Sequence, residues 1–241
     1  MSISSEVLEF SIPGHYSTII PVRQEDPYLC QAIDSVLNQS VEPGPVYVVV
    51  NGPKSADCES SRNVARYGGR VTLLTTPELG MVPALNCGIA VANTEFVAFL
   101  DSDDLWVSDK QEKQLELLME RPELDVATAL ATNFTEGSKG ERKVLLTREA
   151  CMFTNSTFRA STFDRFGAID RSATHFNWLY RWWSNAHARG IQTASIGQVG
   201  TLRRIHQDNS WIAENKSGNA SLLAELRLIV QQRRARGELA N

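Results

Sequence analysis

Four short apolar runs, at residues 18–22, 46–50, 71–75 and 96–100, alternate with polar stretches that carry helical spacing or chain breaks. The runs are short and mostly β-branched or aromatic, so they predict strands rather than buried helices. After the first run, Asp26-Pro27 predicts a helix start, with aspartate as the cap and proline at the first helical position. Leu29, Ile33, Val36 and Leu37 then recur on one face. Pro43-Gly44-Pro45 breaks the chain, and Asn51-Gly52 closes the second strand in a turn. A short helix is expected within residues 53–69, a loop at 77–80 and a helix at 83–92. Strands alternating with helices in this way predict an α/β class, with a mostly parallel sheet covered on both faces. Phe96-Val97-Ala98-Phe99-Leu100 is apolar throughout, as a central strand buried on both faces should be.

The rest of the chain is less regular. A helix is expected at 106–120, strands at 124–130 and 150–158, a mobile lid loop at 136–142 and a helix rich in tryptophan at 175–189. Trp178, Trp182 and Trp183 predict core packing, with stacking on a sugar or acceptor as the alternative. A final helix at 220–236 carries Leu222, Leu223, Leu226, Ile229 and Val230 as its stripe, with Arg227, Arg233 and Arg234 elsewhere. Such a helix suits a subunit contact, as in a homodimer, or a peripheral contact with anionic membrane. The 241 residues contain no repeat and no low-complexity linker, so one domain with two lobes is expected.

Composition narrows the function classes. Net charge is -4, and Arg203-Arg204 and Arg233-Arg234 are too short to form a basic tract, so nucleic acid is not an expected partner. Cys30, Cys58, Cys87 and Cys151 form no CxxC pair and have no histidine at zinc-finger spacing, which suggests free thiols in a reducing compartment. No basic start precedes an apolar run, and no apolar stretch approaches a membrane span. The glycosylation triplets at Asn133 and Asn155 carry little weight in that setting, and a cytoplasmic location is expected.

Chemistry concentrates where the fourth strand ends, at Asp101-Ser102-Asp103-Asp104-Leu105-Trp106. In open α/β sheets ligands bind beyond the carboxyl ends of the strands. Three carboxylates there repel one another unless a cation or hydrogen-bond donors compensate. Mg²⁺ or Mn²⁺ takes oxygen ligands and shares them with substrate phosphates, so a metal-diphosphate site accounts for the cluster. Capping of the next helix by Asp103 or Asp104 accounts for one aspartate only. A calcium loop with Asp101, Asp103 and Glu112 at positions one, three and twelve would place Leu105 where an oxygen ligand belongs and Trp106 where glycine turns the chain.

In four segments the chain resembles the family 2 glycosyltransferases, which have the GT-A fold, a Rossmann-like, mostly parallel sheet with a smaller acceptor-side lobe. Ser17-Thr18-Ile19-Ile20-Pro21-Val22, with residues 29–39, is similar to the family's first strand and helix. Gly80 with Ala84-Leu85-Asn86-Cys87-Gly88-Ile89-Ala90 resembles the segment before its metal motif. Residues 99–106 resemble its DxD-type motif, and Arg204-Ile205-His206-Gln207-Asp208-Asn209 its C-terminal Arg-x-His-x-x-Asn stretch. The likeness covers about residues 16–210.

The resemblance implies transfer of a sugar from a nucleoside-diphosphate sugar, a UDP-sugar by weak preference, with Mn²⁺ or Mg²⁺ as cofactor and with inversion. The acceptor could be a glycan, a small molecule or a peptide. Asp101 would contact ribose or sugar and assist the metal, Asp103 would bind the metal, and His206 would complete the metal or diphosphate site. Pro21, Arg23 and Glu25 lie where the family holds the nucleoside, and Asn51, Gly80, Asn86 and Ser102 join the nucleotide-sugar set. Leu85 stands where many relatives have arginine.

Two positions depart from the family. Asn51 replaces an aspartate that accepts from uracil N–H, whereas an amide both accepts and donates. Asn177 stands at the carboxylate general base, and an amide cannot take the acceptor's proton. His175 or Asp170 could substitute, or the acceptor could arrive already nucleophilic, as a thiolate does. A chain that binds nucleotide sugar without turnover is a further reading. A nucleotidyltransferase is a third, but residues 21–27 contain no glycine for a phosphate loop.

Overall fold

A computed structural model describes residues 15–137, 140–149, 153–171, 177–207 and 209. In chain order the elements are β1 (Tyr16–Val22), α1 (Leu29–Leu37), β2 (Val46–Asn51), α2 (Glu59–Ala65), β3 (Thr72–Thr76), α3 (Met81–Val91), β4 (Phe96–Phe99) and β5 (Leu105–Trp106). Then come α4 (Lys110–Glu120), β6 (Val126–Glu136), β7 (Arg142–Glu149), β8 (Thr157–Arg159), α5 (Ser161–Phe166), α6 (Asn177–Ala188) and β9 (Thr193–Arg204). The strands form one nine-stranded sheet in the order β3-β2-β1-β4-β8-β6-β9-β5, with β7 paired to β6. β1, β2, β3, β4, β6 and β9 run one way, while β5, β7 and β8 run the other, so the sheet is mostly parallel.

The two-residue period of each strand divides the core between two faces. Ile20, Val22, Val48, Val50, Phe96, Ala98 and Leu100 pack with Leu29, Ile33 and Val36 of α1 and Leu115 and Leu118 of α4. Ile19, Val49, Val97 and Phe99 face the other way, against α3 and the aromatic group Phe153, Phe158, Phe163, Trp178, Trp182 and Trp183. The tryptophans are therefore core, as their spacing suggests. α3 lies so close to β1 that a Cβ on Gly88 would stand 2.5 Å from Ile19 Cγ2, and only glycine fits there.

Several local expectations differ from the structure. Leu105 and Trp106 pair with Leu202 and Thr201 of β9 as a short strand, and α4 begins only at Lys110. Tertiary pairing here overrides helical spacing. Asp26 caps no helix through proline. Its Oδ1 accepts the Tyr28 N–H at 2.8 Å, and α1 starts at Leu29. Of the expected strand at 150–158, residues 150–152 lie outside the described residues; Phe153–Asn155 form a turn of 3-10 helix and Thr157–Arg159 form β8. Glu136 and Arg142, which bound the expected lid loop, end β6 and begin the antiparallel β7, which is exposed along its length. β9 and α5 were not anticipated. The expected helix at 220–236 lies outside the described residues, as do Cys151 and His175. Among the described residues no helix is long and apolar enough to cross a membrane.

Phe158 is fully buried and its ring meets those of Phe99, Phe153, Phe163, Trp182 and Trp183. Phe158→Ala is expected to cost about 3–5 kcal/mol in urea unfolding. Leu145→Ser, on the exposed β7, should stay within about 0.5 kcal/mol of the wild type.

Candidate functional site

The sheet delivers its chemistry at the carboxyl end of β4. The Leu100 N–H still bonds the Ile19 carbonyl at 3.1 Å, which holds the strand end against β1. The chain then turns, with the Asp104 N–H donating to the Asp101 carbonyl at 3.1 Å. The turn brings oxygens of Asp101, Asp103 and Asp104 within 4.8 Å of one another. Asp104 is buried and Asp101 and Asp103 are half-buried, so water screens their charges poorly.

Partners from distant segments hold the turn. Asp104 Oδ1 accepts the Arg204 backbone N–H at 2.9 Å. Asp104 therefore serves β9 and does not cap α4. Asp103 Oδ2 meets His206 Nε2 at 3.0 Å and accepts from Asn209 Nδ2 at 3.0 Å. Asn209 in turn accepts the His206 N–H at 2.6 Å and donates to the Arg204 carbonyl at 3.2 Å. The Ser102 hydroxyl donates to Asp26 Oδ2 at 2.6 Å, tying the turn to the loop after β1. Tyr28, Arg204 and Asn209 are not singled out individually by the sequence, and Asp26 stands out there only as a helix cap; among these residues, the Arg-x-His-x-x-Asn stretch carries Arg204 and Asn209.

Burial pushes the Asp101 carboxyl up to about 7, with the charge of Asp103 adding to the rise and Arg203 opposing it. Asp104 is raised well above the carboxylate range for the same first reason, with Asp103 and Asp101 as the repelling charges. The Oδ2 of Asp104 is buried and has no hydrogen-bond partner. An all-oxygen carboxylate set with an orphaned buried oxygen fits a hard divalent cation.

The other expected site residues cluster around the strand ends in differing roles. Pro21 is buried within β1, while Arg23 and Glu25 are exposed just beyond it. The buried Asn51 amide donates to the Val22 carbonyl at 2.9 Å, and its oxygen accepts the Gly80 N–H at 3.2 Å. Asn51 thus clips together the ends of β1 and β2 and the start of α3, where Gly80 sits at φ +120°. An aspartate would lose the donor to Val22. Asn86 spends its amide on the backbone of Ile169, donating at 2.8 Å and accepting at 3.0 Å. Asp170, the next residue, is exposed and pairs with Arg181 at 3.0 Å. Asn177 opens α6.

A sequence model for the family described as Glycosyl transferase family 2 matches residues 17–182. An uncharacterized glycosyltransferase of Haemophilus influenzae is 36% identical over 105 residues, 43% of this chain and 42% of the relative. The amylovoran biosynthesis glycosyltransferase AmsE of Erwinia amylovora is 30% identical over 119 residues, 48% of this chain and 44% of AmsE. The chain spans less than half the length of these curated relatives. Among solved structures, S. aureus TarS 1–349 in complex with UDP-GlcNAc gives a TM-score of 0.64 at 17% identity, covering 89% of this chain and 65% of that one. The mannosyltransferase PcManGT from Pyrobaculum calidifontis, in complex with GDP-Man and Mn²⁺, gives 0.60 at 17% identity, covering 82% and 59%. At that identity the likeness is one of fold, and the fold is the GT-A arrangement.

Raised carboxyls make metal-free stability fall with pH. The folded state keeps the Asp101 proton up to about pH 7, whereas the unfolded chain releases it near the ordinary carboxylate value of 3.8. The folded state therefore binds more protons between those limits, and stability declines as pH rises through them. The thermal midpoint in chelator is expected to be higher at pH 5 than at pH 8, with a shallower decline in Asp101→Asn. A midpoint that rises over this range would contradict the assignment.

Proposed function

Because this chain belongs to glycosyl transferase family 2, we propose that it transfers a sugar from a nucleoside-diphosphate sugar to an acceptor nucleophile, with a divalent cation at Asp101, Asp103 and Asp104. The observation that carries this reading is the carboxylate triad at the end of β4, with its orphaned buried oxygen. Asp103 would be the principal ligand, with Asp101 assisting and His206 beside it. A bound Mn²⁺ or Mg²⁺ would neutralise charge collecting on the departing nucleoside diphosphate. The GDP-Man and Mn²⁺ of one structural neighbour and the UDP-GlcNAc of another support this donor class.

The protein's own groups would do the rest. Arg23 and Glu25 stand at the loop after β1, where they would border the nucleoside, and Ser102 holds that loop to the metal turn through Asp26. Asn51 braces Val22 and Gly80 rather than leaving a free carboxylate for the base. A UDP-sugar would then be read largely by backbone groups. With asparagine at 177, the acceptor's proton would pass to Asp170 or His175, and transfer would invert the anomeric carbon. Asp170 pairs with the Arg181 guanidinium at 3.0 Å, which holds it at the start of the α6 side. The acceptor, a glycan, small molecule or peptide, would approach from the α6 side.

UDP and GDP, each tested with Mn²⁺ and with chelator, provide the experiment. At 100 times Kd a ligand adds about 2.7 kcal/mol, or about 5 °C or more in the midpoint for a chain of this size. The shift is expected only with Mn²⁺ and should vanish in Asp103→Asn. If neither nucleotide shifts the wild type, the proposal fails. Asp170→Asn should lower turnover by about a hundredfold or more if Asp170 is the base, while leaving the donor-induced shift intact.

A further inference from the structure

Arg204, at the end of β9, is among the largest fully buried side chains. A guanidinium keeps its charge in a protein, so its donors need fixed partners. Its Nε donates to the Asp103 backbone carbonyl at 3.0 Å and its Nη2 to Gln31 Oε1 at 2.8 Å. Nη1 pairs with the Glu136 carboxylate. The plane lies 4.3 Å from the Tyr28 ring centroid and 4.9 Å from that of Phe134.

The choice of partners is the informative part. Asp103 and Asp104 both touch Arg204, through the Asp103 carbonyl and the Arg204 N–H, and Asp101 lies within 4.8 Å of them, yet the guanidinium bonds none of the three side chains' oxygens. Among the described residues its one carboxylate partner is Glu136, at the end of β6. A guanidinium beside a carboxylate frequently takes it in a two-pronged grip. Such a grip would use the same lone pairs that a divalent cation needs. Glu136 offers the competing carboxylate, and it also accepts from Arg142 Nε at 3.1 Å.

We propose that Glu136 is a positioning residue for the metal site: by holding the Arg204 guanidinium, it keeps that group from gripping the side chains of Asp101, Asp103 and Asp104 and leaves their oxygens to the divalent cation. This rests on the metal reading given above. Glu136 touches neither metal nor substrate and acts through Arg204. Gln31 supports the same restraint from α1.

The test is a titration of the full chain with Mn²⁺ alone, following free Mn²⁺ by electron paramagnetic resonance. Glu136→Gln keeps the side chain's shape and removes its charge. It is expected to weaken Mn²⁺ binding about tenfold, a usual cost when a group supporting a metal ligand is altered. Gln31→Ala should weaken it less, in the same direction, and Arg142→Gln should leave it unchanged. The metal-free thermal midpoint of Glu136→Gln should hold or rise, because the freed guanidinium then pairs with the aspartates. Unchanged Mn²⁺ affinity in Glu136→Gln overturns the proposal, and so does a weakened affinity accompanied by a lowered metal-free midpoint, the signature of a merely structural role. A wild type that binds no Mn²⁺ overturns the metal reading and this inference with it.

Discussion

Mutual repulsion among three carboxylates at the end of one buried strand is the constraint around which the site is arranged. Phe96, Val97, Ala98, Phe99 and Leu100 are all buried, so the charges that follow emerge from an apolar interior with little water to screen them. Some of that charge is met by hydrogen bonds from β9 and the segment after it, through Arg204, His206 and Asn209. The remainder is met by protonation in the free protein and, in the functional reading, by a cation. The same carboxylates that make the fold costly at high pH are the ones that the functional reading gives to the metal.

This arrangement ties the two halves of the sheet together. β1 to β4 form the parallel block, and β8 joins it to β6 through only a few ladder pairs. At the carboxyl ends of these strands a second set of links runs across, from Arg204 to Asp104 and Gln31 and from His206 and Asn209 to Asp103, while Ser102–Asp26 and Arg204–Glu136 extend it on either side. The aromatic group around Phe153 and Phe158 does the equivalent work within the core. The loop after β1, the Asp101–Asp104 turn and the β6–β7 pair are thus parts of one hydrogen-bonded unit.

What could be seen in the sequence follows from how local each signal is. β1, β2, β3 and β4 are continuous apolar runs, and the Asp101–Asp104 cluster directly follows one of them, so both strand and site stood out. Asn209 and Asp103 lie 106 residues apart, and no local pattern announces that they meet. Glu136 was read as part of a polar loop because its function depends on Arg204, 68 residues later. β7 lacks alternation because both its faces are exposed, and Trp106 looked helical because its pairing with Thr201 is non-local. The clip made by Asn51 was legible as an anomaly, a missing acid, but not as a structural amide.

β9 has a further consequence. Against β6 its register shifts between Thr128 and Leu130 and again between Leu130 and Ala131, and Gly197, at φ +68°, lies in the first of these stretches. Successive residues on a strand face opposite ways, so these irregularities set the phase in which the strand reaches its end. With the present count, Arg204 points inward to Glu136 and Arg203 does not. Losing one residue upstream would exchange the two arginines without altering either codon. The spacing of the exposed stretch near Gly197 therefore decides which arginine reaches Glu136, as much as the identity of the arginines does.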